Sequence, residues 1–511
     1  MSAALPIDAT VAVIGAGAMG SGIAQVAAQA GHSVMLFDTR ISAADEACRT
    51  IAATFDALAA KGKISPDTAR HASRRIAAVN VLADCATARL VIEAIAEDLA
   101  AKRTLLRELE TFVAPETILA SNTSSLSITA LAAGLRYPQR VVGMHFFNPA
   151  PVLPLVEVVS GLATDRAVAE TVYASAAAWG KLPVHASSTP GFIVNRCARP
   201  FYGEALRLLS ERAADPATLD AVMREGGGFR MGPFELMDLI GLDVNFAVTR
   251  SVWDAYFHDP RYAPSVLQQE LVAAGFLGRK SGRGFFSYDA DAAKPEPSTQ
   301  SPQPRPAMIR VCGDRGPAVT LASRLAASGV AVERRQTNDA FPDGAISIDG
   351  GWLALTDGRT ATSRGQAIGE PDLVLFDLAF DYATCARVAA TRGDTCSEST
   401  WHAAVGALQA AGIAVSAVDD VAGLAVMRTV AMLANEAADA VMQGIATPHD
   451  VDLAMQKGVN YPIGPLAWAD RIGAARVHQV LVHLAAHYGE DRYRMSPWIA
   501  RRCATGRAFA D

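Results

Sequence analysis

The sequence has none of the features that would mark a secreted scaffold or a membrane protein. Its seven cysteines are scattered without a C-x-x-C pair, which is typical of reduced thiols in a cytosolic protein. No stretch of about 20 apolar residues exists, so no transmembrane helix is predicted. The first ten residues lack both a basic start and an apolar run, and we expect no signal peptide. These absences predict a cytoplasmic protein, and we expect no metal site.

A basic charge balance is also absent. Lysine and arginine number 46 against 52 aspartates and glutamates, which gives a formal net charge of -6. Such a chain presents no basic field to nucleic acid or to an anionic membrane, so we expect neither as a partner. Hydrophobic residues make up 50% of the 511 positions, as in globular proteins with large cores. At about 150 residues per domain, this length predicts about three domains.

The N-terminal region carries a dinucleotide-binding pattern. Val11–Ile14 is a short apolar run, typical of a buried parallel strand, and a G-x-G-x-x-G sequence follows it at once. In this pattern Gly15 permits the tight turn and Gly17 lets the backbone approach a pyrophosphate. Gly20 lets the following helix pack on the strand. The pattern predicts the first strand, turn and helix of a nucleotide-binding unit.

The continuation of this unit favours NAD. A helix is predicted from Met19 to Ala30, and the amides at its start, near Ala18, face the phosphates. A second strand ends at Asp38, about 20 residues after the last glycine, where an acidic side chain binds the ribose 2′-hydroxyl. A 2′-phosphate would be repelled there, although the nearby Arg40 leaves NADP open.

Further strands alternating with helical segments predict a doubly wound sheet. The predicted strands are 90–93, 118–121, 141–146 and 155–159. Residues 41–78 are predicted to form two helices with a basic set, namely Lys61, Lys63, Arg70, Arg74 and Arg75. This set is either a solvated helix face or a clamp for a phosphate-rich substrate tail.

A histidine lies at the carboxyl end of one predicted strand, where ligands of open α/β sheets bind. His145 is followed by Glu157 on the next predicted strand. An imidazole with an unperturbed pKa of ~6.5 can remove a hydroxyl proton while hydride leaves the carbon. A carboxylate can hold that imidazole in the required tautomer. A lone histidine on a strand is more often structural, so this pair alone leaves both interpretations open.

Five motifs in unbroken order over roughly residues 6–290 resemble the L-3-hydroxyacyl-CoA dehydrogenase family. They are SNTSSL (121–126), GMHFFNP (143–149), LVEV (155–158), TPGFIVNR (189–196) and MGPFELMD (231–238). The resemblance implies a Rossmann-type doubly wound parallel sheet followed by an all-α domain. It implies His145 as the base, Glu157 as its partner, and Ser124 and Asn195 as the side chains that bind the reacting oxygen. A hydroxyl and an amide suit that task because they stabilise charge without competing for the proton.

The same resemblance assigns the cofactor and the thioester. Beyond the glycine turn, it implies NAD contacts from Asp38, Glu97, Lys102, Ser124, Asn148 and Lys280. Lys61 and Lys63 fall where the family's helical hairpin meets coenzyme A. Because the length of that hairpin varies, which basic residue makes this contact stays open.

The last hundred residues repeat the helical region at a constant offset of 232 positions. The matched pairs are Gly191 with Gly423, Arg196 with Arg428, Glu204 with Glu436, Pro216 with Pro448, Asp220 with Asp452, Gly232-Pro233 with Gly464-Pro465, and Asp238 with Asp470. An ungapped register indicates duplication. Asn195 aligns with Met427, which lacks an amide donor, so we expect no chemistry in the second copy.

These patterns predict five segments. They are an NAD-binding Rossmann domain (1–188), a helical domain (189–288), a proline-rich linker (289–306), a degenerate Rossmann-like domain (307–417) and a second helical copy (418–511). Thr189 is predicted as the N-cap and Pro190 as the first residue of the helical domain. In 307–417 we predict strands 309–311, 330–332 and 373–376 and a helix 318–328, after a turn at 312–316 without the three glycines.

This layout resembles the family branch with two helical C-terminal domains, which is associated with 3-hydroxybutyryl-CoA and 3-hydroxyadipyl-CoA oxidation in phenylacetate breakdown. Single-copy members dimerise through the helical domain. We therefore hypothesise that copy two packs on copy one as an intramolecular pseudo-dimer, with further homo-oligomers left open. A region resembling enoyl-CoA hydratase is absent from the sequence, which favours a monofunctional enzyme.

The leading interpretation is NAD-dependent oxidation of an L-3-hydroxyacyl-CoA. One alternative is a dehydrogenase of free hydroxyacids, which shares the fingerprint and an H-x-x-N-P pattern; Phe146, Phe147 and the basic hairpin favour the CoA thioester. Another alternative is a non-catalytic NAD-binding scaffold. The presence of all four predicted catalytic residues argues against it. The sequence does not specify the acyl chain length.

Overall fold

The protein is described by a computed structural model over residues 3–289, 292–293, 295–314, 316–336, 340–342 and 344–509. The chain divides into two compact units: Met1–Arg196 with Ala440–Val459, and Cys197–Asp439 with Asn460–Asp511. The five-segment division stays a prediction. It includes 1–2, 290–291, 294, 315, 337–339, 343 and 510–511, which lie outside the described residues.

The described strands are β1 Val11–Ile14, β2 Val34–Phe37, β3 Ile76–Ala78, β4 Leu90–Glu93, β5 Ile118–Ser121, β6 Val141–Phe146, β7 Leu155–Ser160, β8 Leu182–Ser187, β9 Met308–Cys312, β10 Ala331–Arg335, β11 Ala345–Ile348, β12 Gly351–Leu355, β13 Leu373–Phe376, β14 Arg387–Arg392 and β15 Ala414–Ala417.

The described α-helices are α1 Ala18–Gln29, α2 Ala43–Ala60, α3 Pro66–Arg74, α4 Leu99–Glu110, α5 Ile128–Ala132, α6 Arg166–Ala178, α7 Val194–Cys197, α8 Arg199–Ser210, α9 Pro216–Ala221, α10 Pro233–Ile240, α11 Leu242–Ala255, α12 Val266–Ala273, α13 Pro317–Ala327, α14 Ala361–Ile368, α15 Glu398–Ala410, α16 Val426–Met442, α17 Pro448–Gly458, α18 Pro465–Ile472, α19 Ala474–Tyr488 and α20 Pro497–Thr505. A π-helix, Val222–Gly226, continues α9. No helix within the described ranges is long and apolar enough to cross a bilayer.

The first unit contains an eight-stranded sheet in the order β3-β2-β1-β4-β5-β6-β7-β8. This is the doubly wound order of a Rossmann fold, and the predicted fold class is confirmed. All neighbouring pairs are parallel except β6 and β7. The eight residues between those two strands are too few for the crossover that a parallel pair requires, so β7 returns antiparallel. The strands β1, β4, β5 and β6 are buried throughout, as their continuous apolar sequences require.

One strand of this sheet was not predicted. Residues 41–78 form the two predicted helices α2 and α3, but Ile76–Ala78 is strand β3 and not helix. Its backbone pairs in parallel with β2, so that Val34 lies opposite Ile76. The pairing involves residues far apart in the sequence, and a local pattern of three residues does not reveal it.

Residues 440–459 belong to the first unit although they lie far along the chain. The Ser187 amide donates to the Ile445 carbonyl at 2.8 Å, and the Ser187 hydroxyl donates to the Gly444 carbonyl at 3.1 Å. In α17, a Cβ added at Gly458 would lie 2.8 Å from a Leu155 methyl group. A segment of the second helical copy therefore packs against the β7–β8 edge of the first sheet.

The first helix after this sheet begins later than predicted. Helix α7 starts at Val194, and the prediction of Thr189 as N-cap with Pro190 as first helical residue was wrong. Gly191 and Phe192 have left-handed backbones with φ of 75° and 47°. The amides at the start of α7 are satisfied by a carboxylate on β7, as described below, instead of by Thr189.

The second unit contains helices and a smaller sheet in the order β10-β9-β11-β12-β13-β14-β15. Strands β9, β10 and β13 and helix α13 occupy the predicted positions. Strands β11, β12, β14 and β15 were not predicted. Here β11 runs antiparallel to both β9 and β12, so a hairpin replaces part of the doubly wound pattern. The turn after β9 includes residue 315, which lies outside the described residues.

The repeat is visible in the helix bounds. Helices α10 and α18 begin at Pro233 and Pro465 and end at Ile240 and Ile472, so both bounds keep the same offset. Both helices end at glycines with φ near 100°. Because the bounds agree to the residue, the duplication preserves local backbone structure as well as sequence.

Candidate active site

The glycine turn borders a cavity of about 750 Å³ at the carboxyl end of β1. Gly15 has φ of 107°, and a Cβ there would lie 2.5 Å from the Ala94 carbonyl oxygen. A Cβ at Gly20 would lie 1.8 Å from the Gly15 carbonyl oxygen. At Gly17, by contrast, a Cβ would meet nothing within 4 Å, so the backbone there is open to a ligand. The turn, with Ala18 and Met19 in the first turn of α1, fits the pyrophosphate of a dinucleotide.

Asp38 follows β2 and lines the same cavity. Its carboxylate accepts hydrogen bonds from the Ala16 amide at 2.8 Å and the Arg40 amide at 2.9 Å. Burial acts to raise the pKa of Asp38, but these hydrogen bonds and the Arg40 charge outweigh it, and the pKa lies below its usual value. An ionised carboxylate here can accept from ribose hydroxyls and would repel a 2′-phosphate.

A buried ion-pair network lies after β4. The Lys102 ammonium is 1% exposed and contacts Glu93 at 2.5 Å and Glu97 at 3.2 Å. The Ser121 hydroxyl donates to the second Glu93 oxygen at 2.6 Å. Two carboxylates therefore neutralise Lys102, and Glu93 joins the ends of β4 and β5 through its hydrogen bond with Ser121. Sequence reasoning missed Glu93, although it stands at the end of a predicted strand.

Glu97 organises the loop that carries Ser124. One of its oxygens accepts from the Thr123 hydroxyl at 2.6 Å, from the Ser124 amide at 2.9 Å and from the Ser125 hydroxyl at 3.0 Å. Burial acts to raise the pKa of Glu97, but the Thr123 hydrogen bond, the Lys102 charge and the remaining hydrogen bonds lower it below its usual value. The loop is thus built around an anionic carboxylate.

His145 and Glu157 lie directly opposite each other on the antiparallel strands β6 and β7. The histidine Nδ1 is 2.7 Å from a Glu157 carboxylate oxygen, and both residues are buried. Because an ionised carboxylate only accepts hydrogen bonds, Nδ1 carries the proton and Nε2 is left as the basic nitrogen. The Phe147 ring lies 4.4 Å from the imidazole and shields it.

The other Glu157 oxygen fixes the start of α7. It accepts from the Ile193 and Val194 amides, each at 3.0 Å. One carboxylate therefore orients the imidazole and positions the helix on which Asn195 lies. This explains why the left-handed residues before α7 are needed, since they turn the amides towards β7.

Ser124 and Asn195 meet near the end of β5. The Asn195 amide nitrogen donates to the Ser124 carbonyl at 3.3 Å. Asn122, which sequence reasoning did not assign to the site, accepts from the Phe146 amide at 2.8 Å and ties this loop to the end of β6. Its signal was its place inside the SNTSSL motif. The four residues predicted as catalytic all lie in the first unit.

The remaining predicted residues are Asn148, Lys61, Lys63 and Lys280, and no hydrogen bond among the described side chains joins them to this group. Asn148 is exposed in the loop after β6 and precedes a cis peptide to Pro149. Lys61 is the C-cap of α2, and Lys63 follows it in the exposed turn before α3. Lys280 belongs to the second unit, where it contacts Asp243 at 2.5 Å. Within the described residues, no group of three or more His, Cys, Asp or Glu side chains is arranged to hold a metal ion.

The second unit carries different residues at the corresponding strand positions. The offset of 232 continues into the smaller sheet, where Asp377 corresponds to His145 and Ala389 to Glu157. The Asp377 amide donates to the Ala389 carbonyl at 2.9 Å, so this pair also lies opposite across two antiparallel strands. The Asp377 carboxylate accepts from the Val426 and Met427 amides. This unit keeps the support for the helix start but has neither the imidazole nor its partner.

Comparison with known families assigns most of the chain, with residues 289–352 outside the matched ranges. The description "3-hydroxyacyl-CoA dehydrogenase, NAD binding domain" matches residues 10–189. "3-hydroxyacyl-CoA dehydrogenase, C-terminal domain" matches 191–288 and again 423–509. "3-hydroxybutyryl-CoA dehydrogenase reduced Rossmann-fold domain" matches 353–421.

Individual relatives agree with this assignment. The chain is 43% identical over 493 residues to the 3-hydroxyadipyl-CoA dehydrogenase of Escherichia coli K12, covering 96% of this chain and 97% of the relative. It is 43% identical to a probable 3-hydroxybutyryl-CoA dehydrogenase of Bacillus subtilis over 55% of this chain and 97% of the relative. The crystal structure of a 3-hydroxybutyryl-CoA dehydrogenase from Escherichia coli K12 matches with a TM-score of 0.88 at 40% identity, covering 98% of each chain.

Proposed function

The chain belongs to the 3-hydroxyacyl-CoA dehydrogenase family, and on that premise we propose that it oxidises an L-3-hydroxyacyl-CoA to the 3-oxoacyl-CoA, with His145 as the base. The predicted family, NAD cofactor and enzyme class are confirmed by the comparisons. The roles of individual residues are part of the proposal. The observation that carries it is the 2.7 Å contact between the buried His145 and Glu157.

The bound cofactor supplies a nicotinamide ring that accepts hydride from C3 of the substrate. His145 takes the hydroxyl proton on Nε2, which is free because Nδ1 donates to Glu157. Glu157 stabilises the imidazolium that results, and its contacts with the α7 amides keep its oxygens in place. Acid-base catalysis of this kind contributes ~10²–10⁴-fold to the rate.

The Ser124 hydroxyl and the Asn195 amide are proposed to bind the reacting oxygen of the substrate. The 3.3 Å hydrogen bond from the Asn195 amide to the Ser124 backbone carbonyl supports this, because it places the amide on α7 beside the loop that carries the Ser124 hydroxyl. Both are neutral donors, so they stabilise negative charge on the oxygen as it becomes a carbonyl. Asn122 and Glu97 act as positioning residues for this loop.

For the cofactor, we propose that Gly15, Gly17 and Gly20 with the first residues of α1 hold the pyrophosphate and that Asp38 binds the adenosine ribose. The open backbone at Gly17 supports the first assignment, and the anionic character of Asp38 supports the second. Lys102 is fully engaged by Glu93 and Glu97, so it supports the site through the Glu97 loop. Contacts of Asn148 and Lys280 with NAD stay predictions from the resemblance.

The proposed substrate is a CoA thioester of 3-hydroxybutyrate or 3-hydroxyadipate, since relatives with these printed activities match over almost their full length. Lys61 and Lys63 are proposed to contact coenzyme A, which their exposure permits. A cytoplasmic location stays a prediction, and fractionation of expressing cells tests it.

NADH production tests the proposal directly. We expect turnover with L-3-hydroxybutyryl-CoA and L-3-hydroxyadipyl-CoA and very little with free 3-hydroxybutyrate. His145→Gln should lower kcat by at least ~10²-fold without changing the NADH dissociation constant. Turnover of the free acid at the thioester rate would favour the alternative dehydrogenase, and no turnover with any substrate would favour the scaffold.

We further propose that the two helical copies form an intramolecular pseudo-dimer. A two-fold interface makes each contact twice, with the roles exchanged. The Ser187 amide donates to the Ile445 carbonyl at 2.8 Å, and Asp419, its equivalent at the offset of 232, donates to the Ala213 carbonyl at 2.9 Å. Ala213 is in turn the equivalent of Ile445.

Side chains repeat the same exchange. Arg196 donates to Gln443 at 2.8 Å, and its equivalent Arg428 donates to Glu211 at 2.9 Å. A fragment ending at Tyr288 lacks half of each exchanged set, so we expect it to aggregate or self-associate in sedimentation measurements. A soluble, monomeric and fully active fragment would contradict the pseudo-dimer.

A further inference from the structure

The second unit contains a cavity of about 240 Å³ that the proposed chemistry does not use. Four arginines line it: Arg199, Arg207, Arg261 and Arg492. Two of them are paired with carboxylates, because Arg207 contacts Glu490 at 2.7 Å and Arg261 forms a short contact with Asp439. Arg199 and Arg492 are the informative pair, because no carboxylate fully neutralises their charge.

Arg199 is 7% exposed and has no carboxylate partner among the described residues. One terminal nitrogen donates to the Thr249 hydroxyl at 3.0 Å, and the guanidinium lies 5.0 Å from the centre of the Tyr202 ring. Its Nε has no hydrogen-bond partner in the part of the chain that the structure describes. Burial lowers the pKa of this guanidinium, with Tyr202 opposing the shift. Because arginine stays protonated in proteins, a cation is buried here without an anion.

Arg492 reaches the same cavity from another part of the unit. It is 9% exposed, and its Nε lies 3.9 Å from Glu490, too far for a hydrogen bond. Burial lowers its pKa, and the charge of Glu204 only partly opposes this. A Cβ built at Gly203 would lie 3.7 Å from an Arg492 terminal nitrogen, so the glycine leaves space beside the guanidinium. Two under-neutralised arginines thus line one small cavity.

The remaining lining indicates what kind of anion fits. Leu206, Val266 and Leu267 contribute apolar surface, and Thr249 and Ser265 contribute hydroxyl groups. We propose that this cavity binds the carboxylate end of a small dicarboxylic molecule. A guanidinium presents paired N–H groups in one plane that match the two oxygens of a carboxylate. The apolar walls suit methylene groups and are a poor environment for a fully hydrated phosphate.

The ligand is a free dicarboxylate. Its recognition by Arg199 and Arg492 can be measured by binding alone, without turnover. A failure of the cavity assignment and a failure of the proposed activity therefore give different results.

Calorimetric titration of the full-length protein with adipate tests the cavity. We expect Arg199→Met to weaken adipate binding at least ten-fold, since the variant keeps the aliphatic stem and loses the charge. Arg501→Met, which removes an exposed arginine of the same unit, should bind adipate as the unchanged protein does. Adipamide, the uncharged analogue, should not bind.

Equal adipate affinity in Arg199→Met and the unchanged protein would overturn the proposal, and so would inorganic phosphate binding as tightly as adipate. If Arg199→Met fails to fold by circular dichroism, Arg492→Met provides the same test from the other side of the cavity. Arg199→Lys should recover only part of the affinity, because an ammonium lacks the two parallel donors.

Inhibition kinetics provide a second test. Adipate bound in the arginine cavity should leave the turnover of 3-hydroxyadipyl-CoA and of 3-hydroxybutyryl-CoA unchanged. Competition with either thioester would mean that adipate binds where the reacting substrate binds, which contradicts the assignment to the arginine cavity.

Discussion

The two sheets of this protein place different side chains at one equivalent point. At the end of β6 the first unit has His145 opposite Glu157, and at the end of β13 the second has Asp377 opposite Ala389. In both units a carboxylate accepts hydrogen bonds from backbone amides at the start of the following helix. In the first unit that carboxylate also orients an imidazole, whereas in the second it performs the structural task alone.

The difference separates two roles that Glu157 combines. Asp377 shows that the start of the helix needs a carboxylate whether or not a histidine is present. Burial raises the pKa of Asp377 to about 6, although hydrogen bonds from the Met427 and Val426 amides oppose the shift. A duplicated unit can thus lose its base and partner and keep its fold, because the contact that supports the backbone moved to the neighbouring strand.

The largest expected effect is on turnover when Glu157 is replaced. Glu157→Gln keeps one acceptor oxygen for the α7 amides but removes the charge that stabilises the imidazolium. We expect kcat to fall by up to ~10⁴-fold while the circular dichroism spectrum is unchanged. Steady-state kinetics with a 3-hydroxyacyl-CoA measures this.

Asp377→Asn is the matched control for that variant. It neutralises the carboxylate that supports the corresponding helix start in the second unit, so kcat per folded protein should stay within error of the unchanged enzyme. Unchanged turnover in Glu157→Gln would remove Glu157 from the mechanism. Equal losses in both variants would mean that the effect is structural.

The next effect concerns the buried Arg428. Its guanidinium contacts Glu204 at 2.7 Å and Glu211 at 2.9 Å and lies 4.8 Å from the Tyr488 ring centre. Arg428→Met leaves the buried Glu204 without its cationic partner, although the Tyr493 hydroxyl still donates to it, and this should lower the free energy of unfolding by ~3–5 kcal/mol. Urea denaturation measures the loss. A value below ~1 kcal/mol would contradict the account of this contact as a supporting part of the pseudo-dimer, and Arg501→Met provides the exposed control.

The stability of the protein should depend on pH through Asp220. Its carboxylate accepts hydrogen bonds from the Phe234 and Glu235 amides at 2.9 Å each. Burial raises its pKa from 3.8 to about 7, against the opposing hydrogen bonds. A raised pKa means that the folded state binds the proton more tightly. The contribution of this group to the free energy of unfolding is complete below about pH 4 and is lost as the pH rises to about 7. Its upper bound is ~4 kcal/mol.

Thermal unfolding between pH 4 and 8 checks this sign. The Tm of the unchanged protein should fall over that range because Asp220 ionises. Asp220→Asn should remove this contribution to the slope of Tm against pH. An exposed carboxylate provides the comparison, since Asp56→Asn should leave the slope as it is. A Tm that rises more steeply in the unchanged protein than in Asp220→Asn would reverse the assignment.

The smallest expected change in turnover comes from replacing Met427, the counterpart of Asn195. Met427→Asn restores an amide, but the second unit lacks the His145–Glu157 pair, so turnover should not increase. The side chain is fully buried, and the new polar group should cost ~1–3 kcal/mol of stability. A measurable second active site in this variant with its first site disabled by His145→Gln would refute the comparison.

The sequence revealed those features that short patterns encode. The glycine turn, the strands that flank it and the repeat offset all follow from residues close together or in strict register. The five motifs carried the four catalytic candidates, and the structure brings these into one unit. Their individual roles stay predictions until variants are measured.

The sequence did not reveal features that depend on contacts between distant segments. The start of α7 was misplaced because its backbone amides donate hydrogen bonds to Glu157, which lies on strand β7, and not to Thr189. Strand β3 was missed because its pairing partner, β2, lies elsewhere in the chain. The hairpin β11–β12 is local, and its overlooked signal was the Asp349-Gly350 turn that joins the two strands. Glu93 and Asn122 looked ordinary because their importance lies in which backbone groups and side chains they reach.

The place of Ala440–Val459 in the first unit has a consequence for protein synthesis. A ribosome completes every proposed catalytic side chain by Asn195, yet the edge strand beside them acquires its α17 neighbour only after more than half of the chain has followed. The unit whose translation begins first is therefore completed only after most of the second unit has been made. A premature stop codon anywhere before residue 440 leaves that first unit without its final packing element, even though all of its catalytic residues have been translated.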